Sequence, residues 1–314
     1  MKAIAFTASD PTLTLVDLPA PEPGPIEVLV RVHAAGINPV DWKTLQGGGV
    51  RGFFDESGPM VLGWDVAGEV VEVGAGVTRF EVGDRVFGMP RFPDPANAYA
   101  ELVTAPSRHL ARIPDGVGYD VAGAVPLAGL TAWQAVVDTL GLGDGGRVLI
   151  HAAAGGVGHL AVQIAKARGA EVWGTASAAK HGLLRELGVD HPIDYRSQDF
   201  TEVATEMDAV IDFVGGAENP VRSLASLRPG GRLIVIPSAS ELPSAEALRE
   251  RGVTASWMLV EPDHAGLEGI AQMLAAGTLR VLLADAKPLE EMAALHELSE
   301  SGKVTGKLVA TVAG

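Results

Sequence analysis

Apolar and polar residues alternate in two distinct textures along the chain. Through residue 105 the apolar positions recur at period two in short stretches: 1–6, 13–18, 27–33, 59–73, 78–86 and 98–105. Strict alternation is the pattern of a strand with one buried face. Turn signals separate the stretches: Ser9-Asp10-Pro11, the proline-rich run 19–25, and Gly83-Asp84. Gly63 and Gly68 interrupt the stretch 59–73, and glycines within strands mark bends or close backbone approach. Only 40–45 reads as a short helix, with Pro39 at its first position after Asn38. Short strands and turns in this density predict a compact, barrel-like β domain.

From residue 120 the texture changes. Residues 120–140 read as helix, broken near Pro126. Strand patterns at 148–152, 171–175, 191–195, 208–214, 232–236 and 252–258 then alternate with helical patterns at 157–168, 178–187 and 218–227. Strands separated by helices predict a parallel, doubly wound sheet, and six such strands fit a Rossmann dinucleotide-binding fold. The tail adds helices at 264–274 and 289–299 and strands at 280–283 and 307–312, returning to the β texture. The expected organisation is a β-rich domain split between 1–126 and 261–314, with a six-stranded Rossmann domain inserted at 127–260.

The junction of strand 148–152 and helix 157–168 carries Ala153-Ala154-Gly155-Gly156-Val157-Gly158. A glycine turn between strand and helix lets the backbone approach a pyrophosphate, which the helix N-terminus favours electrostatically. The turn departs from GxGxxG at its first position, where Ala153 stands, but its strand–turn–helix context supports a dinucleotide site built on Ala154, Gly155, Gly156, Val157 and Gly158. An NAD site would place Asp or Glu at the end of the second strand, to bind the ribose 2′-OH. Here Ser177 stands there and Lys180 follows, a pair suited to a 2′-phosphate. Tyr195, ending the third strand, adds a hydroxyl. The expected cofactor is therefore NADPH rather than NAD.

Composition narrows the class. With 24 Lys and Arg against 39 Asp and Glu, the net charge of −15 opposes nucleic-acid or anionic-membrane binding. There are no cysteines, which excludes disulfides, thiolate nucleophiles and cysteine-ligated zinc. No apolar run has membrane-spanning length, the N-terminus lacks the apolar core of a signal peptide, and the expected compartment is the cytoplasm. The eight histidines show no metal-ligand spacing, so no metal site is expected. His151, in the strand before the glycine turn, reads as a packed or hydrogen-bonded histidine.

Five segments together resemble the medium-chain dehydrogenase/reductase superfamily, and most closely its zinc-free quinone oxidoreductase branch, which includes alkenal and enone reductases. They are Asn38-Pro39-Val40-Asp41-Trp42-Lys43, Leu62-Gly63-Trp64-Asp65-Val66-Ala67-Gly68, Val82-Gly83-Asp84-Arg85-Val86-Phe87-Gly88, Leu127-Ala128-Gly129-Leu130-Thr131-Ala132 and the glycine turn. The resemblance implies a GroES-like β domain and a homodimer, for which the apolar stretch 253–260 offers a sheet edge. Zinc alcohol dehydrogenases of the superfamily carry cysteine where Asn38 stands and Gly-His-Glu where Gly63-Trp64-Asp65 stands, and often a four-cysteine structural zinc loop after the segment matching Gly83-Asp84-Arg85-Val86; with no cysteine here, and Trp64 at the histidine position, neither zinc site can be built. The chemistry implied is hydride transfer from NADPH to a quinone or an α,β-unsaturated carbonyl.

The resemblance also implies that Asn38 and Thr131 lie near the nicotinamide, that Phe213, Val214 and Gly215 and then Ile236 and Ser238 face the cofactor, and that Lys307 returns to the same cleft. Asn before proline is also ordinary turn chemistry. Lys43 has two readings, a group that polarises a carbonyl and a solvent-facing lysine. Asp41 reads as a helix cap or ion-pair partner, and Trp42 and Trp64 as packing. Two other functions stay open: reduction of enoyl thioesters on the same fold, and NADPH binding without turnover.

Overall fold

The computed structural model describes residues 1–237 and 240–312. The chain forms two compact units. One comprises Met1–Leu130, Val260–Gly277 and Val281–Gly314; the other comprises Thr131–Leu259 with Thr278–Arg280.

The first unit begins with β1 (Lys2–Phe6), β2 (Thr14–Asp17), β3 (Glu27–Ile37), α1 (Pro39–Leu45), β4 (Met60–Val61), β5 (Val66–Val73), β6 (Arg85–Gly88), β7 (Leu102–Pro106), β8 (Leu110–Arg112) and α2 (Tyr119–Ala124). Next, α3 (Pro126–Trp133) carries the chain into the second unit: β9 (Arg147–Ile150), α4 (Gly158–Ala167), β10 (Glu171–Ala176), α5 (His181–Glu186), β11 (His191–Asp194), α6 (Phe200–Val203), β12 (Met207–Asp212), α7 (Glu218–Ser223), β13 (Leu227–Val235), α8 (Ala245–Arg251) and β14 (Thr254–Trp257). The first unit resumes with α9 (His264–Ala275), β15 (Leu283–Pro288), α10 (Met292–Glu300) and β16 (Lys307–Thr311).

In the second unit six parallel strands lie in the order β11-β10-β9-β12-β13-β14. This is a doubly wound sheet whose strand order reverses between β9 and β12, where such sheets bind ligands beyond their carboxyl ends. Helices cover both faces, so the central strands bury apolar residues in succession: Val148, Leu149 and Ile150 of β9 are all buried, as are Ala209, Val210 and Ile211 of β12. One face packs Leu149, Val210 and Leu233 with Phe200, Met207 and Leu224 into a single core.

In the first unit β3 is the organising strand. Its first half pairs antiparallel with β7 and its second half with β16, while β5 pairs along most of its length. The resulting seven-stranded mixed sheet runs β15-β16-β3-β5-β6-β8 with β7 beside β3, and β2-β1-β4 forms a separate three-stranded sheet. Gly68 of β5 has the close approach expected of a strand glycine: a Cβ there would lie 2.0 Å from the Arg31 carbonyl oxygen.

Three local expectations are corrected. Of 78–86, only the end is strand; Glu81 to Asp84 form a turn in which Glu81 N–H donates to Asp84 Oδ2 at 2.9 Å. The tail strand is Leu283–Pro288 rather than 280–283, because Arg280 is held elsewhere: its N–H donates to Gln163 Oε1 at 2.8 Å, and Gln163 Nε2 donates to its carbonyl at 2.9 Å. Two helices, α6 and α8, stand where no helix is expected. The α8 start was marked by Ser244, whose hydroxyl caps the helix by accepting from Ala247 N–H.

Candidate functional site

Beyond β9 the backbone turns sharply. Ala152 takes a left-handed conformation, φ 51°, which is strained for a residue with a Cβ. Neighbours hold it there. Its N–H donates to Thr175 Oγ1 at 3.1 Å, the next N–H donates to the Thr175 carbonyl at 3.0 Å, and its own carbonyl accepts from Gly155 N–H at 2.8 Å. A Cβ on Gly158 would lie 2.3 Å from the Ala152 carbonyl oxygen and 2.9 Å from Ala153 Cα, so only glycine lets α4 start this close to the turn. Val157 caps α4 without a side-chain hydrogen bond, and the first turn of α4 carries no acid. Among the described residues, the N–H groups of Ala154, Gly156, Val157 and Gly158 donate to no backbone carbonyl. An uncapped helix start with free amides and no competing carboxylate fits a pyrophosphate.

The strand ends beside it carry Ser177, Lys180, Tyr195 and the loops after β12 and β13. Ala176 and Asp194 are in register, so Ser177 and Tyr195 follow the carboxyl ends of adjacent strands. Lys180 closes the helical turn that Ser177 opens. Tyr195 is 57% exposed, and Arg196 lies over its ring at 5.6 Å. Arg196 is a second cation at this edge that sequence reasoning missed, although it directly follows Tyr195. Asp194 is also here, but its carboxylate is held in local turns by Ser197 Oγ and Arg196 N–H, and these bonds with Ala178 N–H keep its pKa low. Across the switch point, Asp212 Oδ1 accepts from Val214 and Gly215 N–H at 2.8 and 2.9 Å, which shapes the loop containing Phe213. Ile236 N–H donates to the Asp212 carbonyl. Thr131 is buried in α3. Ser238 lies outside the described residues.

In the first unit, a buried polar cluster surrounds Asn38, which is 1% exposed. Asn38 N–H donates to Asp41 Oδ2 at 2.6 Å, tying the residue before α1 to that helix's third position. The Asn38 side chain is engaged at both ends. Nδ2 donates to Asp65 Oδ2 at 2.8 Å, and Oδ1 accepts from Lys307 Nζ. Lys307, 3% exposed, also donates to the Ile37 carbonyl at 2.9 Å and lies 3.9 Å from Asp65 Oδ2. Asp65 Oδ1 accepts from Leu127 N–H at 2.7 Å. Burial pushes the Asp65 pKa up and the Lys307 pKa down, while their mutual attraction opposes both shifts. Asp41 is pushed up to about 7, first by burial and then by the Asp65 charge. Tyr99 shares this interior; burial and Asp41 raise its pKa, and its hydroxyl lies 3.4 Å from His296 Nε2.

Lys43 projects over the Trp42 ring, 5.5 Å from its centroid, on the half-buried side of α1. Trp64 is buried among Phe54 and Phe92, and its Nε1 donates to the Asp94 carbonyl at 2.9 Å. His151 is buried and hydrogen-bonded, with Nδ1 at Thr175 Oγ1 and Nε2 at Ser223 Oγ. Thr175, Asp212 and Asp65 organise these sites without having been singled out for those roles. Their only sequence signal was a polar residue inside an otherwise apolar strand or strand end.

Known proteins share this fold. Residues 24–115 match the alcohol dehydrogenase GroES-like domain, and residues 187–309 match the family described as zinc-binding dehydrogenase. Among the described residues, no three His, Asp or Glu side chains gather to hold an ion. The Arabidopsis thaliana chloroplast envelope quinone oxidoreductase homolog is 32% identical over 306 residues, 94% of this chain and 92% of that protein. The structure of the Coxiella burnetii quinone oxidoreductase aligns with a TM-score of 0.92 and 36% identity, covering 100% of this chain and 99% of that one. The Escherichia coli quinone oxidoreductase, solved in complex with NADPH, aligns with a TM-score of 0.87 and 27% identity, covering 99% and 100%. The chain belongs to the medium-chain dehydrogenase/reductase superfamily and is an oxidoreductase of that superfamily.

Proposed function

We propose that the protein is an NADPH-dependent, zinc-independent reductase of quinones or α,β-unsaturated carbonyls. The observation that carries this reading is the carboxyl edge of β9 to β11. Free amides at the start of α4 suit a pyrophosphate, and Ser177, Lys180, Tyr195 and Arg196 suit a 2′-phosphate. The likeness to an oxidoreductase solved with NADPH supports it. Zinc independence is supported by the absence of cysteine and by the residues at the ligand positions: Asn38, held by Asp65 and Lys307, and Trp64, packed and hydrogen-bonded to the Asp94 carbonyl.

When bound, a nicotinamide cofactor would supply the hydride for an electron-poor carbon of the acceptor, with a proton from solvent completing the reduction. The protein's part is binding, orientation and exclusion of water. The turn at 154–158 and the loop at 213–215 hold the dinucleotide, and hydrogen-bond donors stabilise charge developing on the acceptor oxygen. Asn38, with one Nδ2 hydrogen beyond its bond to Asp65, and Thr131 are the proposed groups near the nicotinamide; Lys43 is the proposed carbonyl-polarising group. The remaining proposed cofactor contacts are Ile236, Ser238 and Lys307. Cytoplasmic residence is supported by the lack of cysteine, and no described helix is long and apolar enough to cross a membrane. A homodimer is supported by the edge strand β14, where Trp257 is 44% exposed.

Fluorescence titration tests the cofactor: NADPH binds much more tightly than NADH, and equal affinities overturn the reading of Ser177 and Lys180. An acceptor panel tests the chemistry. NADPH oxidation with 1,4-naphthoquinone or methyl vinyl ketone, unaffected by a chelator, supports the proposal. Chelator-sensitive alcohol oxidation overturns it, a preference for enoyl thioesters replaces the acceptor class, and NADPH binding without turnover on any acceptor makes the protein a binding module.

A further inference from the structure

His151 and its neighbours form a chain of hydrogen bonds whose direction is fixed. Ser223 Oγ donates its proton to the Asn219 carbonyl at 2.7 Å, so toward His151 Nε2, at 3.1 Å, it can only accept. His151 therefore carries its proton on Nε2, and Nδ1 is an acceptor. The group facing Nδ1 is the Thr175 hydroxyl at 3.3 Å, which must donate. The oxygen of that hydroxyl accepts the Ala152 N–H at 3.1 Å. Every donor along the path finds one acceptor: Ala152 N–H to Thr175, Thr175 O–H to His151, His151 Nε2–H to Ser223, Ser223 O–H to Asn219. The arrangement requires a neutral imidazole, and burial depresses the His151 pKa to about 4, which agrees. Phe200 packs edge-on against the ring at 4.6 Å and closes the site.

We propose that this relay, from Thr175 through His151 to Ser223, positions the pyrophosphate-binding turn. Its free end holds Ala152 in the left-handed conformation, after which the N–H groups of Ala154, Gly156, Val157 and Gly158 donate to no backbone carbonyl. Its other end is anchored on α7, the helix that follows the second cofactor loop. The carboxylate of Asp212, which shapes that loop, raises the His151 pKa from close by and so belongs to the same buried group. The two loops flanking the switch point of the sheet are thereby set against each other through buried polar contacts rather than through apolar packing alone. Thr175 and His151 are positioning residues that touch the turn, or each other, and no reacting atom. The proposal rests on the nicotinamide dinucleotide reading.

Thr175→Val tests it, because it keeps the branched shape and removes the hydroxyl. NADPH affinity, read by fluorescence titration, falls by about tenfold. Affinity for 2′-AMP, read by NMR titration, is unchanged, because 2′-AMP lacks the pyrophosphate and uses only the strand-end residues. Thr175→Ser restores NADPH binding to within about twofold, since one hydroxyl suffices. His151→Gln, which can keep an N–H toward Ser223, provides a second route if the valine variant does not fold. Unchanged NADPH affinity in Thr175→Val overturns the relay, as does equal loss of both ligands or failure of the serine variant to recover. Wild-type protein that binds neither NADPH nor NADH overturns the dinucleotide reading instead.

Discussion

Lys307→Met should destabilise the first unit strongly, and the cause should be the charge left behind. The ammonium lies 3.9 Å from Asp65 Oδ2, both groups are almost wholly buried, and Asn38 bridges them. At an effective dielectric constant near 20, that separation corresponds to an attraction of about 4 kcal/mol. Removing one partner of a buried ion pair typically costs about 3–5 kcal/mol, because the other charge remains without compensation. Methionine retains the length and apolar volume of the lysine stem, so cavity formation contributes little. Asp65→Asn in the same chain removes the stranded charge, and the double variant should recover about 2 kcal/mol or more relative to the sum of the single variants. The assay is urea unfolding followed by tryptophan fluorescence, with buried Trp64 reporting on this unit, and a fall in melting temperature of about 10 °C for Lys307→Met. A loss under about 1 kcal/mol, or a double variant equal to the sum of the singles, refutes the reasoning. NADPH titration of the same variants separates two roles for Lys307. An unchanged Kd confines it to the Asn38 cluster, whereas a raised Kd makes it a cofactor contact.

The remaining predictions concern the turn, the strand ends and Asp41. Gly158→Ala forces the Ala152 carbonyl away by about 1 Å and should weaken NADPH binding by about 10–100-fold; a Kd within twofold of wild type would mean the turn yields freely. Lys180→Ala and Arg196→Ala should each lower affinity for NADPH while leaving NADH unaffected in the same titration, and parallel losses would remove them from 2′-phosphate recognition. Burial holds the Asp41 carboxyl protonated up to about pH 7 in the folded state, well above the usual carboxylate range. The folded state then binds a proton that the unfolded chain releases, so stability falls as pH rises from about 4 to about 7. Asp41→Asn should lose this fall and gain on wild type between about pH 5 and pH 8 in urea unfolding; a constant difference would mean that Asp41 titrates normally.

Local patterns revealed most of the second unit. Periodicity located all six strands because helical patterns and turn residues separate them and β9, β10, β12 and β13 carry apolar runs, and the glycine turn stood out because no other residue tolerates the approach at Gly158. In contrast, α6 was invisible because four residues cannot show a helical period. The tail strand was misplaced because a hydrogen-bond pair between Gln163 and Arg280, far apart in sequence, decides where the chain becomes free to join β16.

By itself, the sequence determined the two textures, the inserted doubly wound domain, the lack of cysteine ligands and the position of the glycine turn. Each of these depends on residues near one another in the chain, or on composition alone. The tertiary structure decided what the buried polar residues do. Asn38 is engaged by Asp65, 27 residues away, and by Lys307, 269 residues away; His151 is fixed by Thr175 and Ser223, 24 and 72 residues away. A hydrogen bond forms only over about 3 Å and within a narrow angle. Which polar groups meet is therefore set by strand register and helix packing, which no local pattern of residues encodes.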